Sequence, residues 1–224
     1  SSLNDVDVIL TGHTHDAIPK AIKIKNTLIL SSGSHGKYLG RIDLKVEGGK
    51  VVDYSSNLIP IFSEVIEPDP EMTALISKVR APYEDECNRV IGEAETLLYR
   101  RGNFGGPWDN VICDAIIQNR DTEISLSPGF RWGTTILPGQ KITIDDIYSQ
   151  TAMNYPEVYR TEMSGEMIKN LLEDVADNIF NPDPFFQQGG DMVRVGGLSY
   201  TCSPKNSIGE RISNLVMVSS GEYI

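Results

Sequence analysis

Apolar positions follow strand spacing over the first quarter of the chain and helical spacing further on. In "DVDVILTG", Val6, Val8, Ile9 and Leu10 form a short apolar run that Gly12 stops, which predicts a buried strand. "AIKIKNTLILSSG" is broken by Lys25-Asn26 and predicts two short strands. In "YLGRIDLKVEGGKVVDYSSNLIPI", Leu39, Ile42, Leu44 and Val46 approximate a period of two, and Gly48-Gly49 supplies the turn of a hairpin. "SEVIEPDPEM" is acidic, carries Pro68 and Pro70, and reads as a linker. Met72, Leu75, Ile76 and Val79 then mark one face of a helix expected over 71–89.

From about residue 90 a second pattern begins. A strand is predicted near 91–98, followed by the loop "YRRGNFGGPW" and a helix over 108–119 with Val111, Ile112, Ala115 and Ile116 inward. "EISLSPG" predicts a strand running into a turn, and "ITIDDIYSQT" a strand followed by a short helix. "SGEMIKNLLEDVADNIF" carries the clearest helical signal. Ser164 is an N-cap, and Met167, Ile168, Leu171, Leu172, Val175 and Ile179 form its apolar face. "MVRVGGLSYTC" and "RISNLVMV" predict late strands. The mixture defines an α/β or α+β fold. The expected organisation is 1–62 as one strand-rich part, 63–89 as linker and connecting helix, and 90–224 as a second domain.

Composition narrows the function classes. The 224 residues are 40% hydrophobic and 23% charged, ordinary for a globular chain, and no apolar run approaches the ~20 residues of a bilayer span. A net charge of −11 argues against non-specific nucleic-acid binding while leaving room for a local basic pocket for a small anion. Cys87, Cys113 and Cys202 are far apart and match neither a zinc spacing nor a disulfide framework; Cys113 lies in an apolar stretch and is expected in the core. The chain starts at Ser1 with a strand almost at once and stops just after a strand and turn, which is read as an internal fragment of a longer protein.

Three histidines are present: His13, His15 and His35. In an extended segment residues i and i+2 point to the same side, so the His13 and His15 imidazoles can each reach one ion of a close metal pair. The alternative is a solvated polar turn. Asp16 is either an orienting carboxylate or a turn residue, and His35 either a loop residue or a contact near the site. Arg131 lies in a Gly- and Pro-rich strand-to-turn segment, and Arg100 and Arg101 beside another glycine-rich loop. A guanidinium suits a tetrahedral oxyanion because its planar fork donates two parallel hydrogen bonds. On composition alone each arginine is equally served by exposure or by pairing with the 31 acidic residues.

"GHTHD" after a hydrophobic strand resembles the last metal motif of calcineurin-like metallophosphoesterases, which implies that His13 and His15 each bind one metal of a pair. The earlier ligand motifs of that family do not precede residue 13. "SPGFRWG", "AMNYPEVY" and "MSGEMIKNLLE" resemble the 5'-nucleotidase C-terminal domain, which makes Arg131 the oxyanion-binding arginine, with Arg100 or Arg101 assisting. That family's aromatic and Asn base-binding positions are replaced around Met153, Asn154 and Tyr155, which weakens nucleoside recognition.

Further phrases, "NFGGPWDNVICDAI", "SPGFRWGTTILPGQ" and "DVADNIFNPDPFFQQGGDMVRVGGLSYTC", resemble the SoxB thiosulfohydrolases of bacterial sulfur oxidation over most of the chain. The resemblance implies the C-terminal end of a metallophosphoesterase β-sandwich, a linker helix and a 5'-nucleotidase C-terminal-like α/β domain. It also implies a periplasmic hydrolase with two Mn²⁺ ions. Its substrate would be a cysteine S-thiosulfonate on the swinging arm of the carrier SoxYZ, and no nucleic acid or membrane partner is expected. Arg131, Arg100, Arg101, Asn154 and Tyr155 would contact substrate, and Trp108, Trp132, Tyr155 and "PFFQQGG" would either line a channel for the arm or pack in the core. With most metal ligands absent, the isolated chain is expected to be nearly inactive. The alternatives are a 5'-nucleotidase or 2',3'-cyclic phosphodiesterase, and a non-catalytic carrier-peptide binding module.

Overall fold

The computed structural model describes residues 5–130, 133–151 and 157–224. The chain divides into two compact units, Ser1–Glu84 and Asp85–Ile224.

The first unit is built on strands. β1 (Val8–Thr11), β2 (Ile22–Ile24) and β3 (Thr27–Ser31) form a sheet in the order β1-β3-β2, with β3 central and most deeply buried. β1 runs parallel to β3, in register from Val8 opposite Leu28 to Thr11 opposite Ser31, and β2 runs antiparallel to β3. β4 (Tyr38–Glu47) and β5 (Lys50–Pro60) make the expected hairpin. Its turn needs φ > 0 at both central positions, and Gly48 (57°) and Gly49 (76°) supply it. α1 (Pro70–Arg80) starts where the Asp69 carboxylate accepts the Met72 N–H at 2.8 Å, with Pro70 in the first turn where no N–H is needed.

Two expectations for this unit change. β1 is only half-buried, and Leu10 is 77% exposed. The single helix over 71–89 is interrupted after Arg80 by a 3₁₀ turn at Ala81–Tyr83, before the one-turn α2 (Glu84–Cys87). Pro82 is the physical reason, since a proline inside an α-helix removes one hydrogen bond and crowds the preceding turn. The Met72, Leu75, Ile76 and Val79 face is exposed.

Among its described residues the second unit combines three longer helices with three two-stranded antiparallel ladders. β6 (Val90–Glu93) pairs with β8 (Lys141–Thr143), β7 (Ser125–Ser127) with β9 (Arg194–Gly196), and β10 (Leu198–Cys202) with β11 (Ile212–Met217). α3 (Pro107–Arg120) precedes β7, α4 (Ile144–Thr151) follows β8 directly, and α5 (Gly165–Phe180) leads towards β9. In α5 the Ser164 hydroxyl accepts the Met167 N–H, as the cap signal predicts. Ile168, Leu172 and Ala176 of α5 pack with Met192, Leu198, Ile212 and Leu215 as the larger core, while Ala94, Leu98, Trp108 and Ile136 form a second.

Some inward faces differ from the apolar pattern. On α3 the buried residues are Trp108, Asp109 and Cys113, while Val111 and Ala115 are exposed. Met167 at the start of α5 is exposed as well. The α3 result has an electrostatic cause: Asp109 faces inward because two guanidinium groups meet it there.

Candidate functional site

The histidines of the first unit sit where parallel pairing delivers them. Because β1 and β3 run in the same direction and end together at Thr11 and Ser31, Gly12–His15 and Ser32–His35 leave the sheet at one edge. Carboxyl ends of parallel strands are where such sheets bind ligands. The two loops are stitched together. The Asp16 carbonyl accepts the Gly33 N–H at 2.9 Å and the Ser31 hydroxyl at 2.6 Å, and the Ile18 N–H donates to the Ser31 carbonyl at 3.0 Å. His15 and His35 both adopt φ of 59°, a left-handed conformation uncommon outside glycine. His13 is exposed and His15 half-buried.

Residues 12–15 form a turn and not the extended segment expected, so strand alternation does not set the direction of the two imidazoles; as residue types they suit part of a ligand set for a divalent transition metal. They do not make a complete one. Among the described residues, no three or more of His, Cys, Asp and Glu gather as a group able to hold a metal ion.

The second unit holds the arginines. Arg100 is interior and its donors are engaged. Nε donates to Asp109 Oδ1 at 2.7 Å, Nη1 to the Gln150 carbonyl at 2.6 Å and Nη2 to the Pro128 carbonyl at 3.1 Å. Its guanidinium carbon also lies 5.5 Å from the centre of the Phe130 ring, within cation–π range. The structure thus places Arg100 inside a loop-holding network, whereas Arg101 beside it is exposed. Arg131, Asn154, Tyr155 and Trp132 lie outside the described residues. Phe130, which directly precedes Arg131, is described and half-buried.

Sequence reasoning did not single out Arg194, which is 1% exposed on β9. Its Nη2 lies 3.0 Å from the Gly102 carbonyl, 3.4 Å from the Phe130 carbonyl and 3.2 Å from Asp191 Oδ2, and its Nε lies 3.4 Å from Asp109 Oδ2. Asp109 Oδ2 also accepts the Gly106 N–H at 2.8 Å, closing the N-terminus of α3. The sequence signal was an arginine between Val193 and Val195 at an inward strand position.

The aromatic candidates separate. Trp108 is 1% exposed and belongs to the core, so it does not line a channel. Phe185 is 93% exposed and Phe186 64%, on a loop fixed by the Asn181 and Asp183 side chains. Burial raises the pKa of the Cys113 thiol, which makes it a poor nucleophile at neutral pH. Burial also pushes the Tyr200 hydroxyl to about 12.

The chain belongs to the 5'-nucleotidase C-terminal domain family, whose family model matches residues 90–224. Within that class it is SoxB-like: it is similar to the structure of the sulfate thiohydrolase SoxB of Thermus thermophilus in complex with glycerol, with a TM-score of 0.92 and 37% identity over 96% of this chain. It shares its fold with a 5'-nucleotidase precursor of Thermus thermophilus, at a TM-score of 0.75 and 19% identity over 98% of the chain. Among curated proteins it is 27% identical over 92% of its length to the trifunctional nucleotide phosphoesterase YfkN of Bacillus subtilis. The chain spans 40% of the SoxB chain, 46% of the nucleotidase precursor chain and 14% of YfkN. The relatives bear hydrolase names, and the mixed α/β fold is theirs. No helix among the described residues is long and apolar enough to cross a membrane.

Proposed function

We propose that the protein carrying this chain is a periplasmic thiosulfohydrolase that releases sulfate from a cysteine S-thiosulfonate on the SoxYZ carrier. The observation that carries this reading is the 37% identity to SoxB over 96% of the chain, against 19% to the nucleotidase precursor. In the reaction, water oxygen bonds to the sulfonate sulfur and the bond from that sulfur to the adjacent sulfane sulfur breaks; sulfate leaves, the sulfane sulfur takes one water proton and stays on the carrier as a cysteine persulfide, and the other proton goes to solvent. His13 and His15 would each hold one Mn²⁺, whose chemistry when bound is Lewis-acid stabilisation of charge on the oxyanion. Arg131 would orient the sulfonate oxygens with its planar fork and stabilise the charge they gain as the S–S bond breaks. Arg101, exposed beside the glycine-rich loop, would assist it. Asn154 and Tyr155 would contact the carrier arm.

A second reading, a 5'-nucleotidase or 2',3'-cyclic phosphodiesterase, has the support of the name of YfkN and of the nucleotidase precursor. Both substrate classes present a tetrahedral oxyanion, so the same arginine serves either. The test is substitution in the complete protein. Arg131→Ala is expected to lower the rate of sulfate release by on the order of 10²-fold, as for loss of one oxyanion donor. His13→Ala is expected to lower both Mn²⁺ content and sulfate release. Undiminished sulfate release by both variants would remove the proposed roles.

A further inference from the structure

Arg100, Arg194, Asp109 and Asp191 form a continuous charged network inside the second unit, all with side chains at most 3% exposed. Two cations face two anions, so charge is balanced, but four charges have left water. A buried ion pair of this kind contributes little net stability, because desolvation offsets the attraction and an apolar cluster of similar volume would serve as well. The hydrogen bonds show what the network does instead. They end on carbonyls of two loops and a helix end far apart in sequence: Gly102, Pro128 with Phe130, and Gln150 in the last turn of α4. The first loop directly follows Arg101, the second runs into Arg131, and Gln150 closes α4 just before Asn154 and Tyr155. Gly129 tightens the arrangement, since a Cβ there would collide with the Met192 carbonyl and Asp191.

We propose that Arg194, held by Asp109 and Asp191, is a positioning residue that sets the oxyanion-binding loop. The inference rests on the proposed oxyanion role of Arg131. Arg194 does not touch substrate. Its Nη2 meets the carbonyl of Phe130, which precedes Arg131 in the chain, and the carbonyl of Gly102, which follows Arg101, so the described neighbours of both candidate anion-binding arginines share one nitrogen. A lysine would keep the charge, but its ammonium sits on a shorter stem than Nη2, the one nitrogen that meets Gly102, Phe130 and Asp191, and cannot hold those contacts and the Nε approach to Asp109 together.

The test is a double-mutant cycle in the complete protein, with Arg194→Lys and Arg131→Ala read by kcat/KM for sulfate release and by thermal unfolding. Arg194→Lys alone is expected to lower kcat/KM on the order of 10- to 100-fold, the cost of a misplaced catalytic group, while the protein still melts cooperatively. In the Arg131→Ala background the same substitution is expected to cost almost nothing further, because the group it positions is gone. Equal loss in both backgrounds, or no loss in either, would overturn the proposal. No loss from Arg131→Ala by itself would remove the Arg131 role first, and the positioning of that residue with it. If Arg194→Lys does not fold, Asp191→Asn, which removes one carboxylate partner and keeps the guanidinium, goes through the same cycle with the same outcomes.

Discussion

At the residue scale, buried charge decides more of the second unit than apolar spacing does. Glu173 shows the rule: it is 3% exposed, yet its two oxygens accept the Gly209 and Ile212 N–H groups and so hold the loop before β11 onto α5. The Asp177–Arg211 pair closes the same side at 2.6 Å. The hydrogen bond from Arg211, reinforced by Asn181, holds the Asp177 carboxyl below its ordinary range. A carboxyl lowered on folding adds stability above its unfolded value, about 3.9, and loses that contribution as pH falls through its folded value. Asp177→Asn is therefore expected to be less stable than the parent at pH 7, with the gap shrinking towards pH 3. Urea unfolding midpoints at the two pH values check this, and a constant gap would contradict it. The histidine pair and the glycine-rich arginine loops were visible in the sequence because their residue types are rare and chemically distinctive. Arg194 and Asp109 were not: beside nearby Asp191, Arg194 meets carbonyls 92 and 64 positions away, Asp109 meets Arg100 across 9 positions, and no local pattern encodes those pairings.

At the element scale, start and stop signals were more informative than inward faces. The hairpin turn at Gly48-Gly49, the polar break at Lys25-Asn26 and the cap at Ser164 all stand where local chemistry puts them. Faces were less legible, since periodicity counts apolar residues and α3 turns Asp109 inward to meet Arg100 and Arg194. α5 is the element most exposed to a local test, because it contributes Ile168, Leu172 and Ala176 to the larger core. Ser164→Ala removes the acceptor for the Met167 N–H and is expected to cost about 1 kcal/mol by chemical denaturation, with the fold kept. No change in stability would mean that the helix end is satisfied another way.

At the scale of the whole molecule, the fold and family follow from the second unit, while the chemistry is divided. The first unit carries the imidazoles on loops at the ends of parallel strands, and the second carries the candidate arginines next in sequence to segments whose carbonyls meet a buried ion network. The family resemblance was legible because several long phrases in the second half are distinctive. A complete metal centre was not, since two imidazoles are only part of a ligand set. Substrate choice between a sulfonate and a phosphate also lies beyond local pattern, because an arginine fork accepts either oxyanion.

The most direct measurement of the central claim takes the complete protein loaded with Mn²⁺. Sulfate release from S-thiosulfonate-charged SoxYZ is followed beside phosphate release from AMP, and the two kcat/KM values are compared. A thiosulfohydrolase predicts sulfate release with the larger kcat/KM. AMP turnover without sulfate release would contradict the account and leave a nucleotidase on the same fold.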